Sequence, residues 1–522
     1  MKKKQFWSGT SKRLVFGVIW VLLTFFLYYY HLKINISSDN TTMLPVAKDL
    51  LCGNILLNDW TLGTNNFLFT ETIFYAIFML FGCSYQFMIH FIPAAVLSTL
   101  VVFCLYFFIY KDEEMRMQAS KNNILLCAMA VVFLGIAGRN VAYTLINPNS
   151  HNNLYIFTSV CIVLVLNYMR AEQLKYLIIY IILAVLMSFS ESVTSMVLFA
   201  PVGLFCVYKI IFVKEDRKRA IILLSGSIGA FIMSKLITVL VAFAGGVYTR
   251  GLPLGLAHPR YYPGRVLGFL KEMLLLFGFR KVDGIVVTPE TLLNNVLVCI
   301  VVIGCTVILV YNLVRFFKLS DLDRLLFLLV IVNLGLSVIT DVVVYHRYIA
   351  PAFIFGFILC ARTLISCMER LSFYKRLYRF LAVITVFMLI VRVKDVILMP
   401  KFGEEEKVVM EEIANRGWGD GYGDFWCASM PSFYSGFTID IYPVYTNENG
   451  LFGYEELVKS SWFRETDKHF VITFSGNASA FINNERLFEI LGEPDDGFEY
   501  GSYQVFYYER DISENVLWAG KD

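Results

Sequence analysis

The sequence predicts an α-helical polytopic membrane protein, with about eleven transmembrane helices and a small C-terminal α/β extracytoplasmic domain, and three observations carry that prediction. Of the 522 residues, 57% are hydrophobic and 17% charged, with a mean hydropathy of +0.62, which is too apolar for a water-soluble globular chain. The lysines and arginines, which leave a net charge of +3, fall in short clusters between apolar runs. Such clusters report topology and form no nucleic-acid-binding face. The composition then changes near Pro400 to that of a soluble domain, so the chain divides into a membrane domain, 1–398, and an extracytoplasmic domain, 399–522. Most of the eleven cysteines lie in apolar runs, as Cys104, Cys161 and Cys299 do, and no CxxC pair occurs, so neither a zinc site nor a disulfide framework is indicated.

Lys2, Lys3, Lys4, Lys12 and Arg13 precede the first apolar run, 14–30. The pattern is similar to a signal peptide but lacks a small-residue cleavage site, and it reads as a retained first helix with its amino end in the cytoplasm. Next comes a polar loop, Ser37, Ser38, Asp39, Asn40, Thr41 and Thr42, which puts a carboxylate just outside the bilayer. Leu44, Ala47, Leu50 and Leu51 follow at helical spacing and predict a short amphipathic helix along the membrane surface. The run 67–82 is shorter than the roughly 20 residues a span needs and contains Glu71, so it reads as interfacial or re-entrant. The run 90–110 then carries Lys111, Arg116 and Lys121 to the cytoplasm.

From there the positive clusters alternate with the spans. Runs 124–136, 154–167, 176–188 and 194–213 bring Arg170 and Lys175, then Lys214, Arg217, Lys218 and Arg219, to the inner face. Run 221–243 exits to a long outer loop, 245–294, and 296–314 returns to Arg315, Lys318 and Arg324. Run 325–339 exits, 349–366 re-enters to Arg370, Lys375, Arg376 and Arg379, and 380–398 leaves once more, so the tail is expected outside the plasma membrane. In the tail, 404–415 with Gly417 behind it predicts a surface helix with a glycine stop. Runs 438–445, 470–474 and 503–508 predict strands, and 486–491 a helix. The aromatic stretch Tyr422, Gly423, Asp424, Phe425, Trp426 offers a sugar-stacking surface or a small-domain core, and core is the better reading.

On the outer side the alternation gathers Asp39 and Asp49, then Arg139, Asn147, Asn149 and His151, then Glu191 in the turn SFSES. The long loop adds Tyr248, Arg250, His258, Arg260 and Arg265, and a late turn adds Asp341, His346 and Arg347. Carboxylates, histidines and arginines collected on one side suit an anionic lipid-linked substrate. Taken singly, each except Asp39 has an ordinary reading as a loop charge or a snorkelling side chain.

An amino-terminal helix, an acidic first outer loop, the amphipathic stretch AKDLLCGN, an interfacial run ending in Phe81 and Gly82, and the late RYIAP beginning at Arg347 together resemble membrane glycosyltransferases of the GT-C fold. These include the protein O-mannosyltransferases, the lipid A aminoarabinose transferase and related bacterial sugar transferases. The likeness covers 1–398 and implies an inverting transferase that moves a sugar from a polyprenyl-phosphate carrier to an extracytoplasmic glycan, lipid or protein acceptor, within membrane lipid and without nucleic acid. It implies Asp39 as base for the acceptor hydroxyl, and Arg347 with Arg260 or Arg265 as cations for the departing phosphate, because guanidinium binds phosphate bidentately. His151 and Glu191 join them as substrate-binding candidates. Many relatives carry two adjacent acids in the first loop, where Ser38 here precedes Asp39; a second acid is common in the next loop, where this chain has His151. No residue pattern requires a cofactor, and a divalent metal stays open. The alternative is a flippase or transporter of lipid-linked sugars, for which Lys235 is the one mid-span charge, and a third reading is a scaffold whose outer domain binds a partner.

Overall fold

The computed structural model describes residues 9–34, 36–111, 147, 151–251, 255–280, 288–341, 344–368, 374–399, 402–475, 479 and 481–518. The chain divides into two compact units. The first comprises Met1–His31, Pro93–Lys235 and Pro253–Met399, and the second Leu32–Ile92, Leu236–Leu252 and Pro400–Asp522.

Among the described residues, eight helices are long and apolar enough to cross a membrane: Leu14–His31, Tyr85–Tyr110, Asn152–Ala171, Ser195–Phe212, Lys214–Phe243, Pro289–Val314, Asp321–Ile339 and His346–Ser366. The protein is therefore a helical, membrane-embedded one, and these eight fall among the runs from which about eleven spans are expected. Of the other three runs, 124–136 lies outside the described residues. Leu174–Ser190 is an apolar helix of 17 residues, and the helix Tyr374–Leu398 ends its apolar stretch in Arg392, Lys394 and Asp395. The 67–82 run becomes a π-helical turn, Leu68–Thr72, and a helix, Ile73–Leu80, again too short to span.

Within the first unit, helices in an apolar solvent gain little from burying more apolar surface, so hydrogen bonds between them specify the packing. Tyr180 Oη and Ser227 Oγ lie 2.8 Å apart, and Ser234 Oγ donates to Ser188 Oγ at 2.8 Å. Helix ends are closed by charge. Lys209 bridges Asp216 at 2.7 Å and Asp321 at 2.8 Å, and Arg362, 1% exposed, pairs with Asp323. Ser320 caps the helix Asp321–Ile339 by accepting from the Asp323 amide at 3.2 Å.

The second unit is built on two sheets. Strands β1 (Trp60–Leu62), β2 (Tyr248–Thr249), β3 (Gly421–Gly423), β4 (Ile441–Asn447), β5 (Gly450–Gly453), β6 (Val458–Lys459), β7 (Phe470–Phe474), β8 (Asp496–Tyr500), β9 (Tyr503–Tyr507) and β10 (Val516–Leu517) divide between them. The small sheet has the order β2-β1-β6, parallel then antiparallel, and the large one β10-β5-β4-β3-β7-β9-β8. The period of two along a strand sorts the large sheet's core. Val471 and Phe506 face one side with Leu487 and Leu491 of the helix Asn484–Leu491. Phe470, Ile472, Tyr503 and Val505 face the other with Val409, Met410 and Ile413 of the helix Glu404–Arg416. That second helix stops at Gly417, whose φ of 69° is the left-handed conformation glycine adopts without a Cβ penalty. The C-terminal region is thus α/β. Its small sheet draws one strand each from the segment after the first helix, from the long loop and from the tail, and hydrogen-bonded strands share one side of any bilayer.

Candidate functional site

In the first unit, polar groups concentrate where the helix Asn152–Ala171 begins and the helix Leu174–Ser190 ends. His151 caps the first with a left-handed φ of 64°, a conformation non-glycine residues rarely adopt. Glu191 follows the second, extended at φ −143° and ψ 123°, and its amide donates to Met187 O at 2.8 Å. These two backbone departures turn both side chains inward. His151 Nδ1 is hydrogen-bonded to Glu191 Oε2, with His151 5% and Glu191 1% exposed. A π-helical turn, Ser195–Phe199, comes directly after, an irregularity frequent at functional sites.

Tyr155 stands one helical turn beyond His151 and interacts electrostatically with both Glu191 and Arg347. Its hydroxyl is buried and has no hydrogen-bond partner among the described residues, and the same holds for polar atoms of Asn147, Asn152, Asn153, Thr158 and Thr194. Each such atom costs about 1–3 kcal/mol when dry, so this concentration suits a region that receives polar groups from water or a ligand. Among the described residues no three His, Cys, Asp or Glu side chains gather as a metal site. His151 and Glu191 offer two donors.

The arginines divide by surroundings. Arg265 donates to Val338 O and Ser337 O, both at 3.0 Å, and so satisfies free carbonyls at the end of the helix Asp321–Ile339. These bonds hold its guanidinium at that helix end. Arg260 is exposed, bonded to the hydroxyl of Tyr261 and stacked on that ring. Arg347, also exposed, donates to Tyr348 Oη at 3.2 Å and lies over the rings of Tyr345 and Tyr348. Arg347 interacts electrostatically with Tyr155, a neighbour of the buried pair. Its neighbour His346 bonds Glu272 at 3.2 Å. Arg139 and Asn149 lie outside the described residues.

Asp39 belongs to the second unit. It is half-buried in a one-turn helix, Ser38–Thr41, where Ser37 is the cap and donates its amide to Asn40 Oδ1 at 3.0 Å. Asp39 is therefore not the capping residue. That turn packs against the helix Ser429–Tyr434 and the turn Phe425–Cys427 of the C-terminal domain. Tyr454 is close enough that its hydroxyl is pushed up to about 12, by burial first and then by Glu456, Asp39 and Asp424. The stretch from Tyr422 to Trp426 is core, as its burial shows, apart from Trp426, which is exposed. Asp49 is a tether: it accepts from Asn54 Nδ2 at 2.7 Å and Trp60 Nε1 at 2.9 Å and pairs with Lys459 at 3.1 Å. Burial alone would raise its carboxyl, but these bonds outweigh burial and hold it below the ordinary value.

Tyr155, Asn152 and Asn153 were not among the sequence candidates, whereas Asn147 was. The signal was present in His151, Asn152, Asn153 and Tyr155, a polar first turn on an otherwise apolar helix. No family model matches this chain, and no curated protein matches it either.

Proposed function

We propose that this protein is a membrane glycosyltransferase of the GT-C type, moving a sugar from a polyprenyl-phosphate carrier to an extracytoplasmic acceptor. The observation that carries the reading is the buried His151–Glu191 pair, with Tyr155 beside it under the electrostatic influence of Glu191 and of the exposed guanidinium of Arg347. Transfer from a lipid phosphate requires a carboxylate to take the acceptor's proton and a fixed cation to neutralise the leaving phosphate. Glu191, oriented by an imidazole, suits the first requirement, and Arg347 suits the second. An apolar cavity of about 230 Å³ in the same unit, lined by Phe269, Met273, Phe277, Leu309 and Leu334, suits an isoprenoid chain.

The expected sidedness has its own support. Because β2 and β6 pair with the same strand, the chain makes an even number of crossings between Thr249 and Val458. Four long helices intervene, Pro289–Val314, Asp321–Ile339, His346–Met368 and Tyr374–Leu398, so counting the last as a crossing satisfies the parity. The positive clusters then leave the paired loops and the tail outside. The transporter reading rested on Lys235. That side chain is exposed on its helix, its ammonium 5.6 Å from the Phe231 ring centroid, in the manner of a snorkelling lysine.

The test is transfer itself: purified protein in sealed proteoliposomes, labelled polyprenyl-phosphate hexoses and membrane extract, with wild type compared with Glu191→Gln and Asp39→Asn. Label is expected to pass to an acceptor. Movement of intact carrier across the bilayer, with no transfer, would replace this reading with the transporter.

A further inference from the structure

The second unit contains a cavity of about 180 Å³ between the amphipathic helix Met43–Leu51 and the C-terminal domain. Its walls are aromatic. Trp462 is half-buried and makes an edge contact with Trp60 at 5.1 Å, and Tyr85 meets Phe437 edge-on at 5.3 Å. Its polar groups carry both signs: the carboxylates of Asp49 and Asp440, and the ammonium groups of Lys48 and Lys459. Asp49 and Lys459 are paired with each other, but the Asp440 side chain has no hydrogen bond among the described residues.

We propose that this cavity binds one neutral pyranose ring, its apolar face against the indole of Trp462 and its hydroxyls hydrogen-bonded to Asp440 and Lys48. Balanced charge disfavours an anion or a bare cation, because either would meet a like charge on one wall. A sugar hydroxyl both donates and accepts, so it satisfies a carboxylate and an ammonium together. An aromatic wall with a few convergent polar groups is the common make-up of a small-molecule site. The state of Asp440 agrees: burial first, and then the neighbouring Asp420, push its carboxyl up to about 6 against the pull of Lys48, as for a carboxylate short of donors.

The experiment uses the full chain in nanodiscs and reads saturation-transfer difference NMR, which needs no turnover, so its outcome is independent of the transferase reading. The probes are methyl glucoside and N-acetylglucosamine, with sorbitol as a polyol that has hydroxyls but no ring face. Ring protons of at least one sugar should show saturation while sorbitol does not. Trp462→Ala should abolish the signal and Asp440→Asn should weaken it at least several-fold. Because Trp462 also packs against the domain core, the isosteric Asp440→Asn keeps the test valid if the tryptophan variant fails to fold. No signal from either sugar, equal signal from sorbitol, or unchanged signal in Asp440→Asn would overturn the proposal.

Discussion

His151 and Glu191, 40 residues apart in sequence, are joined by a buried hydrogen bond between imidazole and carboxylate. Such a pair is costly to break from one side, since the remaining partner is left buried without compensation, typically about 3–5 kcal/mol for an ionic pair. Glu191→Gln retains shape and a hydrogen bond to the imidazole but cannot take a proton. If Glu191 is the base, transfer should fall on the order of 10² to 10⁴-fold with thermal stability near wild type. His151→Ala should instead lose both stability and activity. A purely structural pair would make Glu191→Gln lose stability at least as clearly as activity, which thermal melting alongside the transfer assay would reveal.

Arg347 is exposed, and among the described residues its one hydrogen bond goes to Tyr348. Interfacial anchoring and phosphate binding both explain such a residue, and lysine separates them. Arg347→Lys keeps the charge and loses the bidentate fork. A phosphate ligand should show a KM for the lipid donor raised about tenfold, equivalent to about 1.4 kcal/mol, while an anchor should leave KM and expression unchanged.

The membrane half was legible in the sequence because each span is a local property: about 20 apolar residues declare themselves without knowledge of any partner. The strand Phe470–Phe474 and the glycine stop at Gly417 were legible for the same local reason. Pairing was not. Nothing local says that Trp60 lies beside Lys459 or Thr61 beside Tyr248, because those registers join segments hundreds of residues apart. The same limit hid the carbonyl partners of Arg265, which lie more than seventy positions away. Tyr155 was missed for another reason, since a tyrosine on an apolar helix is ordinary until the Glu191 charge is found beside it.

Asp440 makes stability depend on pH in a fixed direction. Its carboxyl stands at about 6 in the fold against an ordinary 3.8, so between those values the folded protein binds more protons than the unfolded chain. Stability from this group is therefore greatest below about pH 4 and is lost as pH rises through 6, by at most about 3 kcal/mol. The groups facing it are Asp420 and Glu465, which raise the value, and Lys48 and Lys468, which lower it. Asp440→Asn removes the titration. The variant should melt at higher temperature than wild type at pH 7, and the difference should shrink toward pH 4. Parallel melting curves across that range would refute the assignment.

Asp39 is the residue on which the family resemblance and the structure can be set against each other. Its capping explanation is weakened, because Ser37 and Asn40 close the helix Ser38–Thr41 between themselves and the Asp39 carboxylate is not needed for it. Two roles remain, a structural one against the C-terminal domain, where it influences Tyr454, and the base that the resemblance implies. Asn has nearly the same shape as Asp and keeps its hydrogen-bond acceptor, so a structural role tolerates Asp39→Asn within about 1 kcal/mol. A base does not tolerate it, and transfer should drop on the order of 10² to 10⁴-fold with donor binding and melting temperature retained. Measured beside Glu191→Gln, the variant names the base: a large loss of transfer in only one of the two identifies that carboxylate. Near wild-type transfer by Asp39→Asn would remove Asp39 from the chemistry and leave Glu191 as the carboxylate to which the buried imidazole points.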